Sequence, residues 1–163
     1  MKLDQIAYCC NDEASSNLLK VNLGLQDARW IVDRVTAKCT VWGQTDHINI
    51  AMLQFCDVLG VQFEIIRYIR GHNWLEAEHD QVSPFLSHVG YHLDAGEPFP
   101  ECNTWELAQE ARTMSHTSEH LTLGAAAGRR YHYKIFRVSP HTYMKFIRRI
   151  EPGKVPLPHV GQQ

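Results

Sequence analysis

Glu64 lies inside Val61-Gln-Phe-Glu-Ile-Ile-Arg-Tyr-Ile69, a run rich in β-branched and aromatic residues. The two-residue alternation of a strand puts Glu64 on one face with Ile66 and Tyr68, and Phe63, Ile65, Arg67 and Ile69 on the other. Burying an ionised carboxylate without a partner costs several kcal/mol, so this acid calls for a metal, a cation or water at the wall of a cavity.

A repeat in the chain supplies candidate partners. Leu3-Asp-Gln-Ile-Ala-Tyr8 aligns with Leu86-Ser-His-Val-Gly-Tyr91 at an offset of 83 residues, and Gln62-Phe-Glu-Ile-Ile66 with Tyr143-Met-Lys-Phe-Ile147 at 81. Internal spacing is kept: 59 residues separate Gln5 from Glu64, and 57 separate His88 from Lys145. Two such modules, paired about a pseudo-twofold axis, bring Gln5, Glu64, His88 and Lys145 to one concavity. Tyr68 shares the face of Glu64, and His92 that of His88, which adds both to the expected lining. A protonated lysine has three donors and no lone pair, so Lys145 is expected to reach Glu64 as an ion pair.

The elements that must position these groups follow from periodicity and punctuation. Lys2 to Cys10 reads as a strand, Asn11-Asp12 as a helix N-cap, and Glu13 to Leu23 as a helix stopped by Gly24. Residues 29–42, His47 to Phe55 and Val61 to Ile69 read as strands, the last two joined by a turn near Asp57 to Gly60. Residues 71–83 form a linker before the pattern restarts. Leu86 to Leu93 is a strand, and Thr104 to Ala111 is expected to be helical, with Trp105 and Ala108 on one face. Strands at Thr113 to Thr122, Arg129 to Val138 and Tyr143 to Ile150 complete the second half. The expected fold class is α+β: two βαβββ modules, about 1–70 and 84–151, make one domain, and residues 152–163 form an extended tail.

Composition excludes several classes. The 163 residues are 44% hydrophobic and 21% charged, with formal charge −2, which is ordinary for a globular protein and gives no footprint for nucleic acid. No apolar run approaches the roughly 18 residues of a membrane span, and the first residues lack a signal h-region, so no membrane partner and a cytoplasmic location are expected. The five cysteines, with no CxxC spacing, fit reduced thiols, and the vicinal Cys9 and Cys10 fit packing. His116, His120, His132 and His141 show no metal-cluster spacing. Arg130, His132 and Lys134 alternate with Phe136 and are candidates for a cavity mouth that attracts anions. No nucleophile elbow, phosphate loop, dinucleotide fingerprint or serine triad is present.

Leu3-Asp-Gln-Ile-Ala, Phe63-Glu-Ile-Ile and Ser87-His-Val-Gly-Tyr-His-Leu93 resemble strands of the vicinal oxygen chelate superfamily, the glyoxalase, bleomycin-resistance and extradiol dioxygenase group. The resemblance covers residues 2–151 and implies a curved, cavity-forming sheet, with Gln5, Glu64 and His88 at three metal-ligand positions. Lys145 stands where metal-dependent members have a glutamate, which argues against glyoxalase chemistry.

Two functions follow. One is a metal-free domain that binds a small polar or aromatic molecule, with Tyr8, Trp30, Trp42, Tyr68 and Tyr91 as candidate aromatic surfaces. The other is a lyase, isomerase or dioxygenase holding Zn, Ni, Mn or Fe on Gln5, Glu64 and His88, with water or His92 as a further ligand. Without a metal, catalysis would fall to Glu64 as base and Lys145 as charge stabiliser. A homodimer is the family's habit.

Overall fold

The computed structural model describes residues 1–70, 83–116 and 130–150. Strand β1 (Lys2–Cys9) leads into helix α1 (Glu13–Asn22), then β2 (Ile31–Val41), β3 (Gln44–Val58) and β4 (Val61–Arg70). Strands β5 (Phe85–His92), β6 (Glu106–His116), β7 (Arg130–Ser139) and β8 (Thr142–Ile150) follow. They close into a barrel of order β1-β4-β3-β2-β6-β7-β8-β5. Each half contributes four adjacent strands with its first and fourth strands parallel, β1 to β4 and β5 to β8, while the other pairs are antiparallel.

The local chemistry explains these elements. Asp12 caps α1 by accepting a 2.7 Å hydrogen bond from the Ser15 amide, and Gly24 ends it at φ 68°. Leu19 of the helix packs on Cys10 and Ile65, covering the outer face of the first half. Burying such an aliphatic side chain contributes about 1.5–3 kcal/mol. The β2–β3 and β3–β4 hairpins turn on Trp42-Gly43 and Leu59-Gly60, all four residues having positive φ, which matches the right-handed twist of the flanking strands.

One element departs from its sequence pattern. The helix expected at Thr104 to Ala111 is instead the start of β6, and among the described residues α1 is the one helix. Register shifts between Leu107 and Gln109 and between Ala111 and Met114 break the strand's alternation. Ala108 and Ala111, three residues apart, are therefore both fully buried, a spacing that imitates a helix face. The second half is covered outside by Phe99 and Trp105 of the irregular segment 93–105, not by a helix. Phe146 is 1% exposed there, stacked on Tyr91 and Trp105 and edge-on to Phe136. The linker residues 71–82, residues 117–129 of the expected strand and loop, and the tail lie outside the described residues.

The two halves meet in equivalent register. Ala7 pairs with Glu64 across β1 and β4, and Gly90 with Lys145 across β5 and β8. Ala7 is two residues after Gln5 and Gly90 two after His88, so the spacing read from the sequence is kept in the sheet. Between the halves, Gln5 pairs with Gly90 and Ala7 with His88.

Candidate functional site

The barrel encloses a cavity of about 340 Å³. Six side chains named from the repeat and the strand alternation line it: Gln5, Glu64, Tyr68, His88, His92 and Lys145. The rest of the wall is mainly apolar or aromatic, including Val35, Leu53, Phe55, Ile66, Tyr133 and Ile135.

Across β5, β1 and β4 five side chains form a directed relay. Ser87 Oγ lies 3.0 Å from His88 Nδ1, and His88 Nε2 lies 3.0 Å from Gln5 Oε1. A carbonyl oxygen can only accept, so Nε2 carries the proton and Nδ1 accepts from the serine hydroxyl. The Gln5 amide nitrogen then donates to Glu64 Oε2 by a short contact and to Gln62 Oε1 at 2.8 Å. Burial, reinforced by the Lys145 charge, holds His88 well below its usual pKa, consistent with the neutral ring this chain of bonds requires. Gly90 makes room for the relay: a Cβ there would lie 3.0 Å from Gln5 Cβ and 3.2 Å from its Oε1.

Glu64 is 4% exposed. Burial raises its pKa, the Lys145 charge opposes that rise, and Asp4 adds to it. Lys145 is pushed the other way by burial, against the pull of Glu64 and Asp4. The expected ion pair is not formed: no nitrogen–oxygen contact within 4.0 Å joins Lys145 to Glu64, whose oxygen is taken by Gln5. Instead the ammonium stands 4.9 Å over the Tyr133 ring, so it is coupled to Glu64 through space alone. As arranged, Gln5, Glu64 and His88 satisfy one another: the histidine presents a proton, and the glutamine presents its NH2 group, not its carbonyl, to the carboxylate.

Other expectations separate cleanly. Of the aromatic candidates, Tyr68 alone lines the cavity. Tyr8 and Trp30 pack beside α1, Trp42 lies under the Arg137 guanidinium, and Tyr91 stacks on Phe146 outside the barrel. His132 and Lys134 do not line a mouth, because Tyr131, Tyr133 and Ile135 take the inward positions of β7. His132 is instead buried on the outer face, 2.8 Å from Glu110 and edge-on to Phe99. Cys9 packs inside the barrel, and Cys10 packs beneath α1 with burial raising its thiol pKa to about 11.

Sequence reasoning missed Asp4, Asn49, Gln62, Gln109, Tyr131 and Tyr133 as lining residues. Gln62 was within reach, being two residues before Glu64 on the same face. Asp4 enters the wall because the β1–β5 register shifts between Leu3 and Gln5, and Gln109 sits where the sequence reads helical. Gln109 donates to the Tyr133 hydroxyl at 2.6 Å.

Neither a family model nor a curated protein matches this chain. Among solved structures it is similar to a triple mutant of 4-hydroxymandelate synthase from Streptomyces coelicolor, at 13% identity and TM-score 0.47, covering 91% of this chain and 48% of that one. It thus spans about half that protein's length. It is also similar to a methylmalonyl-CoA epimerase, at 12% identity and TM-score 0.38, covering 93% of this chain and 97% of that one. Read directly from the barrel, each half runs first-fourth-third-second around a common cavity, the arrangement of two like units that the sequence repeat implies.

Proposed function

We propose that the chain binds a small polar or aromatic molecule inside the barrel, anchored by Lys145 and without a divalent metal on Gln5, Glu64 and His88. The observation that carries this reading is the buried, cavity-facing Lys145 ammonium beside a relay whose donors are spent on one another. The donor set does not fit a divalent ion as it stands. Binding one would require His88 Nε2 to lose its proton and Gln5 to reverse its amide, next to a fixed cation that repels the ion. The apolar and aromatic wall supplies shape and contact area, while the relay and Lys145 supply orientation, the usual division of labour in a ligand pocket.

Elemental analysis of protein purified without chelator or metal-binding tag tests this, alongside Lys145→Glu. The expected result is a metal-free wild type and a variant that takes up metal, since the substitution removes the repelling charge and adds a fourth ligand. Near-stoichiometric metal in the wild type would overturn the reading and favour metal-dependent lyase, isomerase or dioxygenase chemistry on Gln5, Glu64 and His88.

A further inference from the structure

Lys145 differs from the other described lysines in being both buried and turned to the cavity. Lys20 donates to Gln54 Oε1, Lys134 lies over Phe99, and Lys2 is exposed. Lys145 is 7% exposed and lines the cavity, and among the described residues its nitrogen has no hydrogen bond or ion pair and stands over the Tyr133 ring face. Tyr68, on the same cavity wall, also has a hydroxyl with no hydrogen-bond partner among the described residues. The amine is therefore presented to the cavity and to whatever molecule the cavity holds, with no protein acceptor among the described residues to engage it first. We propose that Lys145 captures carbonyl compounds, forming a reversible imine with a small aldehyde or ketone held in the barrel.

The chemistry balances without a co-reactant. The nitrogen lone pair bonds to the carbonyl carbon, the carbon–oxygen bond breaks, and the oxygen leaves as water with two of the three ammonium protons. The protonated imine that remains keeps the positive charge, and hydrolysis reverses the step. Burial lowers the Lys145 pKa against the pull of Glu64 and Asp4, so its ammonium gives up a proton to become the nucleophile more readily than an exposed lysine does. The apolar and aromatic wall suits an aldehyde or ketone borne on a small aromatic or aliphatic body. This inference rests on the cavity being a binding site, so its test must separate the two.

Benzaldehyde serves as the probe and benzyl alcohol as the matched ligand that cannot form an imine. After incubation at neutral pH and borohydride reduction, intact mass is expected to show one adduct, and peptide mapping to place it on Lys145 at least tenfold above Lys2, Lys20, Lys38 or Lys134. Lys145→Arg keeps the charge and is expected to abolish the adduct; Lys145→Met does the same if arginine does not fit. Adducts spread evenly over the lysines, or persisting in both variants, would overturn the inference. Binding of benzyl alcohol by saturation-transfer NMR, with no adduct from the aldehyde, would overturn imine formation and leave the cavity reading standing. If neither compound engages the wild type, both readings fall.

Discussion

The first four-stranded unit offers Gln5 and Glu64 to the cavity, and the second offers His88 and Lys145 at matching register positions. An amide and an acid thus face an imidazole and an amine. Their outer faces differ as much as their inner ones. The first unit is sealed by α1 through Leu19, Cys10 and Ile65, whereas the second is sealed by irregular chain through Phe146, Trp105, Tyr91 and Phe136, next to a buried Glu110–His132 pair. A shared strand register therefore tolerates different covers. What the barrel requires is apolar area against the outward strand positions, and either a helix stripe or an aromatic stack can supply it.

Removing the covers should give the largest effects. Phe146→Ala is expected to cost about 3–5 kcal/mol and Leu19→Ala about 2–4 kcal/mol in urea unfolding, because each leaves a cavity in a packed layer. If Phe146→Ala proves the milder, the irregular cover is not what holds the second unit. Next comes the buried Glu110–His132 pair of the second unit. Glu110→Gln should cost about 1–3 kcal/mol by weakening the partner of His132, whose Nδ1 has none among the described residues. The pair also predicts acid sensitivity. Burial alone would raise the Glu110 pKa, but the His132 hydrogen bond and the Lys134 and Arg112 charges bring it below its usual value. Its stabilisation is therefore present above the ordinary carboxylate pKa and lost as pH falls through the lowered one.

Gln5 and His88 allow a sharper comparison, since they occupy matching positions and only one titrates. The folded pKa of His88 lies below its usual 6.5, so the unfolded chain binds the proton first. Stability should fall as pH drops below that value, with a slope approaching about 1.4 kcal/mol per unit until the lowered pKa is passed. Thermal melts between neutral and mildly acidic pH should show this slope flattened in His88→Gln, which removes the titrating ring. An unchanged slope would place the acid sensitivity elsewhere. The smallest effect belongs to a turn. Leu59 is fully exposed at φ 53°, a conformation costly for leucine and tolerated by asparagine, so Leu59→Asn should stabilise by about 0.5–1 kcal/mol in the same melts.

Much of the site was legible because alternation and spacing survive folding. Glu64 in an apolar strand, and the near-equal Gln5–Glu64 and His88–Lys145 intervals, were enough to bring six lining residues together. Features that depend on a broken pattern were hidden. Bulges in β6 made a strand resemble a helix, and another irregularity in β1 turned Asp4 toward the cavity.

By itself, then, the sequence determined most of the strands, the duplicated spacing and, where no bulge intervenes, which residues share a strand face, since these follow from local chemistry and a period of two. Tertiary structure alone decided who bonds to whom. Gln5, not Lys145, holds Glu64, and Lys145 is left over an aromatic ring. Partnership inside a barrel depends on strand stagger, on the space that Gly90 leaves, and on angstrom-scale distances that residue spacing does not encode.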